Sequence, residues 1–253
     1  MGFWTTTILT TFCTFAAPEP GPTTVVPAPA PAAEAKPAQA PETKPAPEAK
    51  PAAEGKSASD VKALVDRMQT FYEKIQDFTA TFSQTYSYKM AKRTQTSTGK
   101  VTFKKPGMMR WEYEAPAKKT FVLAGDRAYT YDPQAMLLTK AAFDQSQLSA
   151  SVTFLFGTGK LEKEFTISKV DCAKCTGTLL ELLPLKPDPR FKKVRLEVDP
   201  KTAQVLRSIV FDPDGSENAI TFSNLKTNVG VSKEVFVLDA PAGTQVQDLT
   251  APK

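Results

Sequence analysis

From Phe78 to Pro133 the side chains change character at every second residue. Phe78, Ala80, Phe82, Gln84, Tyr86 and Tyr88 alternate with Thr79, Thr81, Ser83, Thr85 and Ser87. Val101 and Phe103 alternate with Thr102 and Lys104, and Met109, Trp111 and Tyr113 with Met108, Arg110 and Glu112. Successive side chains of a strand point to opposite faces, so a period of two is the mark of half-buried antiparallel strands. Phe121 and Leu123 flank Val122, and Tyr129 and Tyr131 flank Thr130, which adds two shorter strands. Lys105-Pro106-Gly107, Ala115-Pro116, Gly125-Asp126 and Asp132-Pro133 supply the turns between them. The chain is thereby committed to a meander with one large aromatic and methionine-rich face.

A helix comes before the meander. Val61, Leu64, Val65, Met68, Phe71, Tyr72 and Ile75 recur at helical spacing and form one apolar stripe. Ser57 with Asp60 resembles a capping box at its start. After the meander, Met136–Thr139 continues a strand. Leu148, Val152 and Leu155 have the spacing of short helices closed by Gly157 and Gly159. Further strands are expected from Phe165 and over Thr178–Leu183, Lys193–Val198, Val205–Phe211, Ala219–Leu225 and Glu234–Leu238. The tally is about eleven strands, one long helix and one or two short ones. This is a mainly β, α+β chain, built as a large curved sheet or barrel.

Only part of the 253 residues can belong to that fold. Residues 1–17 are apolar and uncharged, too short to span a membrane, and read as a secretory signal peptide. A lipid-modified Cys13 is disfavoured by the bulky Phe12 before it. Residues 18–56 are dominated by Pro, Ala, Glu and Lys, which cannot bury enough apolar surface to offset the entropy of ordering. They read as a semi-stiff linker. If the N-terminus stays anchored, the roughly 34 residues from Pro18 to Pro51, at about 3 Å each, reach on the order of 100 Å. Residues 57–253 form the domain. The net charge of +5 is spread over lysine pairs at turns, and no nucleic-acid signature accompanies it.

The chain contains no histidine, which removes the commonest general base and the commonest metal ligand. No nucleophile elbow, P-loop or dinucleotide fingerprint occurs. The reading is a non-enzyme without cofactor or metal. Cys172 and Cys175, in CAKC, form the one cysteine motif. Zinc would lack ligands. A redox pair should open a helix after a strand, whereas this motif lies between two strands. A small structural disulfide fits an exported chain best.

Pattern alone leaves the aromatic face open between a packed core and a cavity lining. A closed sheet of about eleven strands is wider than the eight-stranded barrels that side chains just fill, so an apolar pocket is a real alternative. Beyond the pattern, Phe78-Thr79-Ala80-Thr81-Phe82-Ser83-Gln84 after an amphipathic helix resembles the FxAxFxQ opening of the outer-membrane lipoprotein carrier family, LolA. Lys105-Pro106-Gly107-Met108-Met109-Arg110-Trp111 resembles that family's basic-Pro-x-x-apolar-x-Trp segment. Pro116, Gly125, Tyr129, Tyr131 and Pro133 fall at family spacing, and Phe236 to Val246 resembles its closing strand and tail.

The resemblance implies an open, incomplete antiparallel barrel with an α-helical lid over an apolar cavity. It implies a periplasmic monomer that takes acylated lipoproteins from an inner-membrane LolCDE-type ABC transporter to an outer-membrane acceptor. Met109 matches a cavity position, and Phe82, Trp111, Phe121, Tyr129 and Leu155 are further acyl-cavity candidates. Lys105 stands where the family typically has an arginine that closes the lid. Two other readings stay open: a lipid-sensing or regulatory envelope module on the same scaffold, and a structural envelope protein with a filled barrel.

Overall fold

The computed structural model describes residues 52–144 and 159–250. The signal-peptide reading, residues 18–51 of the linker reading and the segment holding Leu155 lie outside them, whereas residues 52–56, expected to be linker, are helical.

Helix α1 spans Ala52–Lys74. It begins before the Ser57/Asp60 pair, because Ala52, Ala53 and Glu54 are themselves strong helix formers. Its stripe is buried at Val61, Leu64, Val65, Met68 and Tyr72, and Ile75 just beyond it is buried as well. Then come β1 (Asp77–Tyr88), β2 (Arg93–Lys104), β3 (Met108–Ala115), β4 (Lys119–Ala124), β5 (Arg127–Asp132) and β6 (Leu137–Ala142). A short α2 (Leu161–Glu164) leads into β7 (Phe165–Val170), β8 (Thr178–Pro184), β9 (Lys193–Val198), β10 (Val205–Phe211) and β11 (Glu217–Thr227). A 3-10 turn, η1 (Lys233–Phe236), and β12 (Gln245–Asp248) complete the described chain.

Among the described residues all twelve strands belong to one open sheet, ordered β12-β6-β5-β4-β3-β2-β1-β11-β10-β9-β8-β7. It is two meanders joined where β11 returns to pair with β1, from Phe78 opposite Thr227 to Ser87 opposite Glu217. Every pairing is antiparallel except β12 with β6, which is parallel. The edges, β7 and β12, are not joined to each other.

The concave face takes α1 against the β7–β10 half. The Val205 amide donates to the Tyr72 hydroxyl at 3.2 Å, and Arg67 donates to the Pro200 carbonyl at 2.8 Å. Beneath the helix lie Phe103, Leu180, Leu182, Val194, Leu196 and Val198, all almost fully buried.

The expected strand at Glu234–Leu238 is instead η1 and an extended exit, and the last strand lies further on. The reason is an anchor upstream. The buried Asp77 carboxylate accepts from the amides of Val229, Gly230 and Val231 at 2.7, 3.1 and 3.1 Å, which turns the chain out of the sheet after β11. Ser232 then caps η1 through the Glu234 amide. Arg110, on the outer face of β3, donates to the Val235 carbonyl at 3.1 Å, so this segment crosses the outside of β3 and β4. Phe236 is buried there, while Val235 and Val237 are exposed.

Removing the Asp77 carboxylate leaves three amides without their acceptor. With charge-assisted hydrogen bonds worth about 1.5–3 kcal/mol each and far from additive, Asp77→Ala should cost on the order of 3 kcal/mol. The expected readout is a lower melting temperature together with new proteolytic cuts between Asn228 and Leu249. An unchanged cleavage pattern would show that the segment is held by other contacts.

Candidate functional site

The β2–β4 register brings the aromatic residues together. Phe82 on β1 lies opposite Gly99 on β2 and Phe222 on β11. Trp111 lies between Val101 and Phe121, and Met109 between Phe103 and Leu123. Directly opposed residues share a face, so Phe82, Met109, Trp111 and Phe121 all line the concave side. Gly99 makes this possible, since a Cβ there would stand 2.0 Å from the Glu112 carbonyl oxygen and 2.8 Å from the Phe82 ring. Freed of that side chain, the Phe82 ring lies across β2 and meets Trp111 and Tyr113 edge-on, with centroids 4.8 and 5.1 Å away. The Trp111 indole N–H donates to the Met109 sulfur at 2.7 Å. Phe82, Met109 and Phe121 are buried; Trp111, Tyr113 and Phe222 are half-buried. The panel is therefore a fixed floor with a partly uncovered aromatic rim.

Tyr129 does not belong to it. It lies opposite Val122 and Lys140, one residue out of phase with Phe121, and alternation places it on the outer face. Ala128 and Thr130 take the concave positions on β5. The spacing of Tyr129 and Tyr131 sets the period of the strand and not which face each tyrosine takes. The usual preference of aromatics for the inside fails because this outer face is itself covered, as the full burial of Val122 shows. Leu155, the remaining cavity candidate, lies outside the described residues.

Beyond the aromatics on β1 is a buried polar group that sequence reasoning missed. Gln84 accepts from the Tyr113 hydroxyl and donates to the Asn218 side-chain oxygen, both at 2.9 Å. The Tyr86 hydroxyl donates to Asp212. Burial raises the Asp212 carboxyl above its ordinary range against the lowering effect of the Tyr86 bond, and nearby Asp214 raises it further. Burial likewise pushes the Tyr86 phenol up, and the bond to Asp212 adds to it. Gln84 and Tyr86 stand in phase with Phe82 in the sequence, which was the available signal. Asp212 and Asn218 carried no signal, because one reads as a turn residue and the other as ordinary strand polarity.

Lys105, in the turn between β2 and β3, donates to the carbonyls of Tyr72 and Glu73 at 2.9 and 2.8 Å. These belong to the last turn of α1, where a cation also meets the negative end of the helix dipole. Burial lowers the Lys105 pKa, opposed by the Glu73 carboxylate. Burial raises the Tyr72 phenol to about 12, despite its bond with the Val205 amide. The junction that follows is pinned as well: the Gln76 carbonyl accepts from the Lys105 amide at 2.8 Å, and the Gln76 amide donates to the Asn228 side chain at 2.7 Å.

Cys172 and Cys175 are disulfide-bonded in the β7–β8 connection, with Cα atoms 5.4 Å apart. The neighbouring Thr176 and Gly177 amides donate to the Glu197 carboxylate at 2.8 and 3.1 Å. Desolvation would push Glu197 up, but those amides and Arg207 outweigh it and hold the carboxyl below its usual range. Among the described residues no cluster of acidic and cysteine side chains is arranged to hold a metal.

Residues 73–239 match the model of the family described as outer membrane lipoprotein carrier protein LolA. The outer-membrane lipoprotein carrier protein of Dechloromonas aromatica is 28% identical over 183 residues, covering 72% of this chain and 86% of that one. The protein of the same name from Nitrosomonas europaea is 28% identical over 182 residues, covering 72% and 87%. The crystal structure of a LolA superfamily protein from Nitrosomonas europaea superposes with a TM-score of 0.40 at 9% identity, covering 70% of this chain and 97% of that one. With an open, mostly β sheet, a helix laid into its concave face and a family match running from the end of α1 past η1, this chain belongs to the LolA family of outer membrane lipoprotein carrier proteins.

Proposed function

We propose that this protein carries the acyl chains of lipoproteins across the periplasm, without enzymatic chemistry. It would load from an inner-membrane LolCDE-type ABC transporter and unload to an outer-membrane acceptor. The observation that carries this reading is the concave panel of Phe82, Met109, Trp111 and Phe121: a rigid apolar floor whose rim at Trp111 and Tyr113 stays half-exposed under an open sheet. Family membership and the names of the relatives support the same role.

The physical task suits that surface. Each exposed acyl CH₂ costs about 0.8 kcal/mol, so one chain of about sixteen carbons costs on the order of 12 kcal/mol in water. A carrier must cover most of that area and still let go. Met109 adapts to chain shape through its unbranched thioether, while the stacked rings around it keep the floor in place. Helix α1 acts as the lid, and Lys105 is its latch. Two hydrogen bonds to backbone carbonyls hold the helix end without committing it, because an ammonium on a flexible stem can leave and re-form such bonds readily.

Met109→Glu puts a carboxylate into the panel, where an unpaired charge costs several kcal/mol. Uptake of acylated lipoprotein in a detergent-free transfer assay should fall at least tenfold, with the β signal in circular dichroism retained; normal uptake would remove Met109 from the site. Lys105→Arg offers a five-donor fork to the same carbonyls. One added charged hydrogen bond, about 1.5 kcal/mol, should slow cargo release roughly tenfold. Equal release rates for the two proteins would exclude a latch at Lys105. Native mass spectrometry of protein purified without detergent tests the whole reading. A bound triacylated lipoprotein supports it. A protein that stays empty when offered one refutes it.

A further inference from the structure

The disulfide in the β7–β8 connection has charged surroundings that a plain staple does not need. Cys172 and Cys175 are both half-buried, in a loop whose Asp171, Ala173, Lys174 and Thr176 are exposed. The loop lies close on β9. A Cβ at Gly177 would stand 2.4 Å from the Val198 carbonyl oxygen, so only glycine permits this approach. The Thr176 amide, the Thr176 hydroxyl and the Gly177 amide then all donate to one oxygen of Glu197, Oε1, at 2.8, 3.1 and 3.1 Å.

Glu197 lies opposite Arg207 on β10, one residue out of phase with the buried concave Leu196. Both side chains therefore start from the convex face, on the far side of the sheet from α1 and the aromatic panel. Arg207 brings its Nε to 3.2 Å from the second Glu197 oxygen, Oε2, yet that buried nitrogen makes no hydrogen bond. The guanidinium is not forked on its carboxylate. Its Nη2 is turned instead to the Cys175 sulfur, 3.6 Å away.

A disulfide carries no charge for a guanidinium to hold, but the thiolate released on reduction does. A cation beside a sulfur favours its thiolate and makes it the better leaving group. Where a paired-cysteine motif opens a helix, the helix N-terminus supplies that positive field. Between two strands there is no such helix, and Arg207 stands in its place. The loop's own charges, Asp171 and Lys174, are exposed and opposite in sign.

We propose that Cys172–Cys175 is an exchangeable disulfide that oxidises a protein dithiol, with Cys172 taking the attack and Cys175 leaving. A thiolate of the partner attacks the Cys172 sulfur, the bond between the cysteines breaks, and its electron pair leaves on Cys175 beside Arg207. The partner's second thiolate then attacks its own sulfur in the mixed disulfide and frees Cys172. The partner loses two electrons and two protons. The cysteine pair gains the electrons, Cys172 takes one proton, and solvent takes the other. The exchange is stoichiometric and does not rest on the carrier reading.

Equilibration of the full chain in buffers of reduced and oxidised glutathione, with acid quenching and mass analysis, tests it. The wild-type pair should pass from disulfide to dithiol within the millimolar range. Arg207→Gln should shift the equilibrium about tenfold toward the disulfide, about 30 mV for a two-electron couple. Arg207→Lys should restore most of that shift. Glu197→Gln keeps an acceptor for Thr176 and Gly177 but removes the charge that competes for Arg207, so it should shift the equilibrium toward the dithiol. In the reduced protein, alkylation by iodoacetamide should persist to lower pH at Cys175 than at Cys172, and Arg207→Gln should bring the two profiles together. A purely structural disulfide would move the same way in both variants, through lost stability alone. The proposal is overturned if the pair stays oxidised throughout the glutathione series. It is equally overturned if Cys175 ionises no more readily than Cys172, or if Arg207→Gln and Glu197→Gln do not shift the equilibrium in opposite directions.

Discussion

The pairing of β1 with β11 is the constraint on which the rest of the structure depends. These strands are far apart in sequence, and each belongs to a separate meander built from local hairpins. Neither meander alone could bury its concave face. Once joined, they present a single curved surface, and the loop-closure cost of that long-range pairing is met by the packing it creates. Helix α1 covers the β7–β10 half through its apolar stripe. The aromatic panel belongs to the other half, around β1 to β4, and is held by rings packed on each other through the opening left at Gly99.

Two kinds of interaction divide the work on that surface. Rigid aromatic packing and the Tyr113–Gln84–Asn218 bonds fix the shape of the concave face. Closure relies on a few polar contacts at the ends of elements: Lys105 on the last carbonyls of α1, Arg67 on Pro200, and Lys62 on Glu162. Such contacts are individually weak where exposed. A face that keeps its shape under a helix held by replaceable bonds is the combination that binding followed by release requires.

Much of this could be read from the residues. The period-two runs of β1, β2 and β3 run into long hydrophobic cross-strand partners, so their phase follows from which side is greasy. The stripe of α1 is equally plain, and CAKC between two strands left a staple as the simplest arrangement. The failures have specific causes. Tyr129 and Tyr131 alternate correctly, but both faces of β4 and β5 are covered, so hydrophobicity could not decide their phase. Val235, Phe236 and Val237 form a short apolar run with no period of its own, and what turns it out of the sheet is Asp77, a residue some 150 positions earlier whose role depends on three distant amides. The buried Asp212 and Asn218 show the same limit: polar residues in turns and strand ends are ordinary, and only the tertiary pairing makes them interior.

The pinned junction between α1 and β1 gives the helix a mechanical asymmetry. Asn228 and the Lys105 amide hold Gln76, and the Asp77 carboxylate holds the chain behind it, whether or not the Lys105 ammonium is engaged. The C-terminal end of α1 is thus a pivot, and the rest of the helix is a lever. Val61 lies about 16 Å along it from Tyr72 at about 1.5 Å per residue, so a swing of about 20° displaces the Val61 end by roughly 5–6 Å while the pivot stays in place. Any tilt of α1 about this end would therefore open its contact with β7 most.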